Sequence, residues 1–302
     1  VVTDLRALRR PRVPISRRGV LLGAAALSLV GPAVAAAPSR VAAIDWAMLE
    51  TALALGLTPV AASELLLFRR SAVEPSVPDE VADLGLRGSI AYEQLYAARP
   101  DLVLISPWYE NRAHILSRIA PVASFSIYEP GRPPYDAALA ATRGLGERLG
   151  RPNDAERAIE DATVEIEACR RSLSALSGRP VLIMNLGDSR HFRAFGADSM
   201  FGDVLGRLGL ACAWAEPTRF GAYPTVGVEA LADMPDAIVV NVGPTPPSAL
   251  SEMRASPLWA AMPPIAQARF VDMAPVNPYG ALPAARRFAR LLTSALGAFA
   301  HA

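Results

Sequence analysis

Lysine is missing from this chain, and all 30 of its basic side chains are arginine. Without an ε-amine there is no Schiff base to form, and no P-loop lysine to reach a nucleotide's phosphates. Histidine is nearly as scarce. His114, His191 and His301 stand far apart, whereas a transition metal held by protein side chains wants several imidazoles or carboxylates converging on one point. No protein-ligated metal is therefore expected, and His191 reads as a structural hydrogen-bonding residue beside Arg190. Cysteine is limited to Cys169 and Cys212, which can be one disulfide or two buried thiols, since sequence alone does not set their distance. Nor are the spacings of common catalysts present: there is no Gly-x-Ser-x-Gly elbow, no His-Glu-x-x-His pair and no glycine-rich phosphate loop ahead of a helix. The acidic pairs Asp79-Glu80 and Glu160-Asp161 fall in a Pro-rich and a helical stretch and read as solvated surface. The expectation is a protein that is not an enzyme.

Long apolar runs are also absent. Val20 to Val30 reaches about half of the roughly 20 residues a spanning helix needs, and it ends at Gly31-Pro32. What is present just before it is Ser16-Arg17-Arg18-Gly19-Val20-Leu21-Leu22, with Ala33-Val34-Ala35 after it. This is the pattern of a cleaved twin-arginine signal over residues 1–35, read by a receptor that exports folded proteins. An uncleaved N-terminal anchor is the alternative. No cysteine lies near the cleavage pattern, so no lipid linkage is expected there, and the expected location is the periplasm. Outside the cytoplasm, chemistry driven by ATP or nicotinamide cofactors is improbable. Removing the segment's six Arg and one Asp from the chain's 30 basic and 29 acidic residues leaves 24 against 28. That small acidic excess argues against nucleic acid and against an anionic membrane as partner.

Residues 36–302 alternate short apolar runs with helical periodicity, the pattern of α/β layers. Strands are predicted at Val41 to Ile44, Leu102 to Ser106, Val122 to Ser126, Val181 to Leu186, Ala237 to Val242 and Arg269 to Met273. Helices are predicted at Ala47 to Leu55, Tyr92 to Ala98 and Ser199 to Leu208, two of them closed by Gly56 and Gly209. The longest helix is predicted from Asp154 to Leu176, with Ala155, Ala158, Ile159, Ala162, Ile166, Cys169, Leu173 and Leu176 on one stripe. A weak repeat flanks it: Glu93 opens a short helix stopped by Pro100-Asp101 before a buried strand, and Glu229 does the same before Pro235-Asp236. The organisation predicted is an N-terminal lobe at 36–150, a bridging helix at 151–177 and a C-terminal lobe at 178–302.

These units, in this order, resemble the helical-backbone class of periplasmic binding proteins that deliver siderophores, haem or cobalamin to ABC importers, and within it the ferric hydroxamate binders. The similarity extends over Arg40-Val41-Ala42-Ala43-Ile44-Asp45-Trp46, Val81-Ala82-Asp83-Leu84-Gly85-Leu86-Arg87, Asp188-Ser189-Arg190-His191, Pro257-Leu258-Trp259 and Tyr279-Gly280-Ala281. The resemblance implies two Rossmann-like α/β lobes bridged by one long helix, with a shallow cleft for an iron(III)-siderophore. It places Arg87 and Tyr109 as ligand donors, Trp46 near the cleft, and Trp214, Phe220 and Tyr279 on the facing wall. A guanidinium fork and a phenol suit the partly anionic oxygens of a ferric hydroxamate, and aromatic faces suit its apolar backbone. No intrinsic cofactor is implied, because iron arrives wrapped in its chelator.

The resemblance further implies that Glu93 and Glu229, one per lobe, dock a monomer of this protein onto the dimeric inner-membrane ABC permease. The plainer reading of each glutamate is a favourable charge at a helix N-terminus. Family tryptophans are replaced by Ser71, Ile105, Phe220 and Asn277. With Arg69, Arg70 and Arg112 nearby, these replacements point to a more polar or acidic cargo such as a citrate-bearing hydroxamate. Cobalamin, haem or a catecholate siderophore would suit the same fold, and an exported siderophore-modifying hydrolase is the reading from another class.

Overall fold

All six apolar runs picked out above become strands, and they sort into two sheets. The structure, a computed structural model, describes residues 37–218 and 225–300. The expected signal segment, Phe220 and His301 lie outside the described residues. The first sheet takes β1 (Val41–Ala43), β2 (Ala61–Ala62), β3 (Ala82–Asp83), β4 (Leu102–Ile105) and β5 (Val122–Ser124) in the order β3-β2-β1-β4-β5. All of its pairs are parallel. The second takes β6 (Pro180–Leu186), β7 (His191–Phe195), β8 (Ala211–Cys212), β9 (Thr225–Gly227), β10 (Ile238–Val242) and β11 (Phe270–Met273). Its order is β11-β10-β6-β7-β9, with β8 also on β6 and with β7 antiparallel to both neighbours. Every residue of β4 and β10 is buried, as parallel strands covered by helices on both faces must be.

The sequence repeat is also a repeat in space. Helix α2 (Tyr92–Ala97; α1 is Trp46–Ala54) leads into β4, and a 3-10 turn at Val228–Asp233 leads into β10. Each of these strands lies between the first and the last strand of its own sheet, β1 and β5 or β6 and β11. Helix α3 (Pro134–Arg148) closes the first half. The long helix α4 (Pro152–Ser172) then carries the chain to β6, burying Ala155, Ile159, Ala162, Ile166 and Cys169 on one stripe. Its 21 residues span about 30 Å at 1.5 Å per residue. It ends sooner than Leu176 because the last turn tightens into a 3-10 turn at Ser174–Leu176, a common way to close a helix.

Helices α5 (Met200–Arg207) and α6 (Leu282–Ala300) complete the layer between the sheets. Although α6 comes last in the chain, it packs on α4, on α5 and on α1 and α3 of the first half. One continuous core therefore includes Leu104 of the first sheet, Ile159 of α4, Val240 of the second sheet and Phe288 of α6. Outside it, Arg286 and Arg290 of α6 meet Glu165 of α4 at 2.5 and 2.9 Å, and Arg287 meets Glu74 at 2.6 Å. Cys169 and Cys212 are free thiols. Among the described residues no helix is long and apolar enough to cross a membrane.

Candidate functional site

Asp45 fixes the first wall of the site. Its carboxylate caps α1, accepting from the amides of Ala47 and Met48 at 2.8 and 3.3 Å, and also accepts from the Ser106 hydroxyl at 2.8 Å. The start of α1 and the end of β4 are thereby tied together, so the Pro107-Trp108-Tyr109 segment leaves from a rigid point. Burial pushes the Asp45 carboxyl up from its ordinary range, against the pull of Ser106 and the cap amides.

Arg87 is held on several sides. Its Nε donates to Glu64 at 2.5 Å, its guanidinium lies 3.9 Å from the centre of the Trp46 ring, and Arg112 donates to the carbonyls of Arg87 and Gly88 at 2.9 and 2.6 Å. Trp46 is itself fixed, since its indole N–H donates to the Ser63 carbonyl at 2.9 Å. Glu64 takes a left-handed backbone conformation with φ 52°, uncommon for a residue other than glycine. Tyr109 stands beside Arg87. Its phenol is pushed up by burial and by the charge of Asp45, with Arg87 opposing. The phenol thus keeps its proton at neutral pH and can donate it in a hydrogen bond.

The facing wall is a loop from the second half of the chain. The Asn277 Nδ2 donates to Glu50 of α1 at 2.7 Å, the Tyr279 amide donates to Asn277 Oδ1 at 3.1 Å, and the Ala281 amide donates to the other Glu50 oxygen at 3.1 Å. A Cβ on Gly280 would come within 2.6 Å of that carboxylate and 2.2 Å of the Ala284 Cβ, so glycine is required for the close approach. Burial raises the Glu50 carboxyl to about 8, which keeps it protonated at neutral pH. The Tyr128 hydroxyl donates to the Gly280 carbonyl at 2.8 Å. Trp108, Tyr128 and Tyr279 then form a cluster, the first two stacked with centroids 5.6 Å apart and Tyr279 edge-on to Trp108 at 5.2 Å.

Two adjoining hollows lie between these walls. One, of about 560 Å³, is lined by Arg87, Trp108, Tyr109, Arg112 and Tyr279 among others. The other, of about 310 Å³, takes in Trp46, Arg87, Asn185, Arg193, Asn277 and Tyr279. Arg87 and Tyr279 line both.

Of the residues expected at the site, Arg87, Tyr109, Trp46 and Tyr279 thus come together. Asn277 sits at the base of the smaller hollow, but it is 2 % exposed and both ends of its amide are committed, so it positions Tyr279 instead of reaching for a ligand. Trp214 is placed elsewhere: it packs edge-on to Phe192 at 6.5 Å, against the outer core of the second sheet, and lines neither hollow. Phe220 lies outside the described residues. Glu93 and Glu229 are both exposed, in the first turns of α2 and of the 3-10 turn.

Arg69 and Arg112 do not supply the polar character inferred from them. Arg69 turns to Asp79 at 3.5 Å and to the Pro78 carbonyl at 3.2 Å, and the donors of Arg112 go to backbone carbonyls. Sequence reasoning missed Glu64, Glu50, Tyr128, Asn185 and Arg193. Only Arg193 left a readable signal, the alternation of His191-Phe192-Arg193-Ala194-Phe195 that sets it on the face opposite Phe192 and Ala194.

A cleft between two α/β layers joined by one long helix, with a fixed guanidinium and phenol facing an aromatic wall, defines a substrate-binding protein. The chain belongs to the periplasmic binding protein family, whose profile matches residues 41–276. It is 31 % identical over 291 residues to the iron(3+)-hydroxamate-binding protein FhuD of Escherichia coli, a match covering 94 % of this chain and 98 % of that one. It is similar in structure to the siderophore-binding protein FhuD of Vibrio cholerae bound to Fe3+-Desferal. There the TM-score is 0.81 at 25 % identity, over 86 % of this chain and 98 % of the other. The petrobactin-binding protein YclQ of Bacillus subtilis shares the fold at 15 % identity, with a TM-score of 0.72 over 86 % of this chain and 93 % of its own.

Proposed function

We propose that this protein captures an iron(III)-siderophore of the hydroxamate type in the cleft between its two sheets and delivers it to an inner-membrane ABC permease, without altering it chemically. The observation that carries this reading is the side-by-side placement of Arg87 and Tyr109 on a hollow closed by Tyr279. A hydroxamate wrapped around ferric iron presents oxygens with partial negative charge, and the two side chains supply a guanidinium and a neutral phenol to donate to them. Trp46, Trp108 and Tyr279 give flat apolar surface for the rest of the ligand.

The test is titration of the protein with ferrichrome, an uncharged ferric trihydroxamate, followed by tryptophan quenching. Arg87→Gln should weaken binding by roughly 10- to 100-fold, the worth of a charge-assisted hydrogen bond, and Tyr109→Phe by less. Equal affinity in wild type and both variants would overturn the assignment, and a changed mass in the recovered ligand would favour the hydrolase reading. Export by the twin-arginine route, a monomeric state, and docking on a permease dimer through Glu93 and Glu229 belong to the same proposal. Support for docking comes from the matched, exposed positions of the two glutamates in the repeated units.

A further inference from the structure

Strand β7 alternates sharply. Phe192 and Ala194 are buried in the outer core of the second sheet, while Phe195 points to the other face and joins the central core. Arg193 shares that second face by the period of two, yet it is exposed and lines the smaller hollow. Its cross-strand neighbours are Asn185 on β6 and Thr225 on β9, and neither carries a charge. The Asn185 amide is committed to the carbonyls of Val242 and Pro244 at 2.7 and 3.3 Å. Among the described residues no carboxylate pairs with Arg193, in contrast to Arg87, which has Glu64.

The lining charges are correspondingly one-sided. Arg87 and Arg193 border the smaller hollow, which no described carboxylate lines, and the carboxylate lining the larger one is that of Glu64, already paired with Arg87. A neutral cargo would leave this excess uncompensated in a partly desolvated cleft, and a cation would be repelled. A guanidinium with no carboxylate partner among the described residues, lining the same hollow as the Glu64-paired guanidinium of Arg87, matches an anionic group at the far end of the same ligand.

We infer that Arg193 reads a carboxylate carried by the cargo and not bound to its iron, so that the preferred ligand is an anionic ferric hydroxamate complex spanning Arg87 and Arg193. This rests on the cleft being the ligand site. The test compares ferrichrome, whose three hydroxamates balance the ferric charge, with ferric aerobactin, a citrate-centred dihydroxamate with carboxylates left free of iron. Wild type should bind the anionic complex at least tenfold more tightly, and this preference should weaken with added salt.

Arg193→Leu should lower the ratio of the two affinities tenfold or more, and Arg193→Lys should restore part of it. Circular dichroism of each variant confirms folding. Wild-type preference for ferrichrome, or a ratio that Arg193→Leu leaves the same, would overturn this inference alone. Wild-type binding of neither complex, or indifference of both to Arg87→Gln, would remove the cleft assignment and this inference with it.

Discussion

Glu50 shows how much of the site is decided by single atoms far apart in sequence. It lies in α1 and accepts from Asn277, which is 227 positions away, so no local pattern could announce it. The same holds for Glu64 and its partner Arg87, 23 positions apart. Arg87, Tyr109, Trp46 and Tyr279 were legible because motifs around them resemble a known family, not because their types or spacing demand a cleft. The same resemblance placed Trp214 on the wall, where it misled, since an aromatic side chain fills a core as readily as it walls a cavity.

Glu50 also carries a pH signature. The folded protein holds its proton up to about pH 8, whereas the ordinary value is 4.5. Between these limits the folded state binds more protons than the unfolded one. The contribution of Glu50 to stability is therefore complete below about pH 4.5 and is lost as pH rises through about 8, with a limiting slope of about 1.4 kcal/mol per pH unit. Glu50→Gln, which keeps the shape without the charge, should flatten the decline of Tm across that window. Parallel profiles for wild type and variant would show that the carboxyl titrates elsewhere.

Among the elements, the longer apolar strands were readable and the two-residue strands were not. Leu102–Ile105 is apolar throughout, and Ile238–Val242 is apolar except for Asn241, because both faces are covered. By contrast β2, β3 and β8 have two residues each, too few to show any period. The stripe of α4 was visible since three- and four-residue spacings persist over its whole length. Helix α6 carries a similar stripe, Leu282, Ala285, Phe288, Ala289, Leu292 and Leu296, all buried.

The repeat was legible as a pattern, and its meaning can be tested at this scale. If Glu93 and Glu229 are matched docking points, the double variant Glu93→Ala, Glu229→Ala should retain siderophore affinity while iron uptake through the permease is lost. Each residue sits in a first turn, where a carboxylate is worth roughly 0.3–1 kcal/mol. The variant should therefore stay folded, and uptake at the wild-type rate would leave the glutamates a helix-terminal role only.

For the whole molecule the governing fact is that the two sheets share one inner core, beside an outer core belonging to each. The core around α4 and α6 is continuous from Leu104 to Val240, and an interior packed this tightly deforms little. Closure on a ligand should thus be slight. Small-angle scattering should give the same radius of gyration with and without ferrichrome, and a contraction of the kind produced by hinge-bending domains would count against a rigid frame.

The loop bearing Tyr279 belongs by sequence to the second half of the molecule, yet Glu50 and Tyr128 moor it to the first. An incoming guest consequently meets a receptacle that is already assembled, with few rotamers left to freeze on capture. Loading should then be paced by diffusion to the mouth, and unloading by how readily that moored loop can be moved aside.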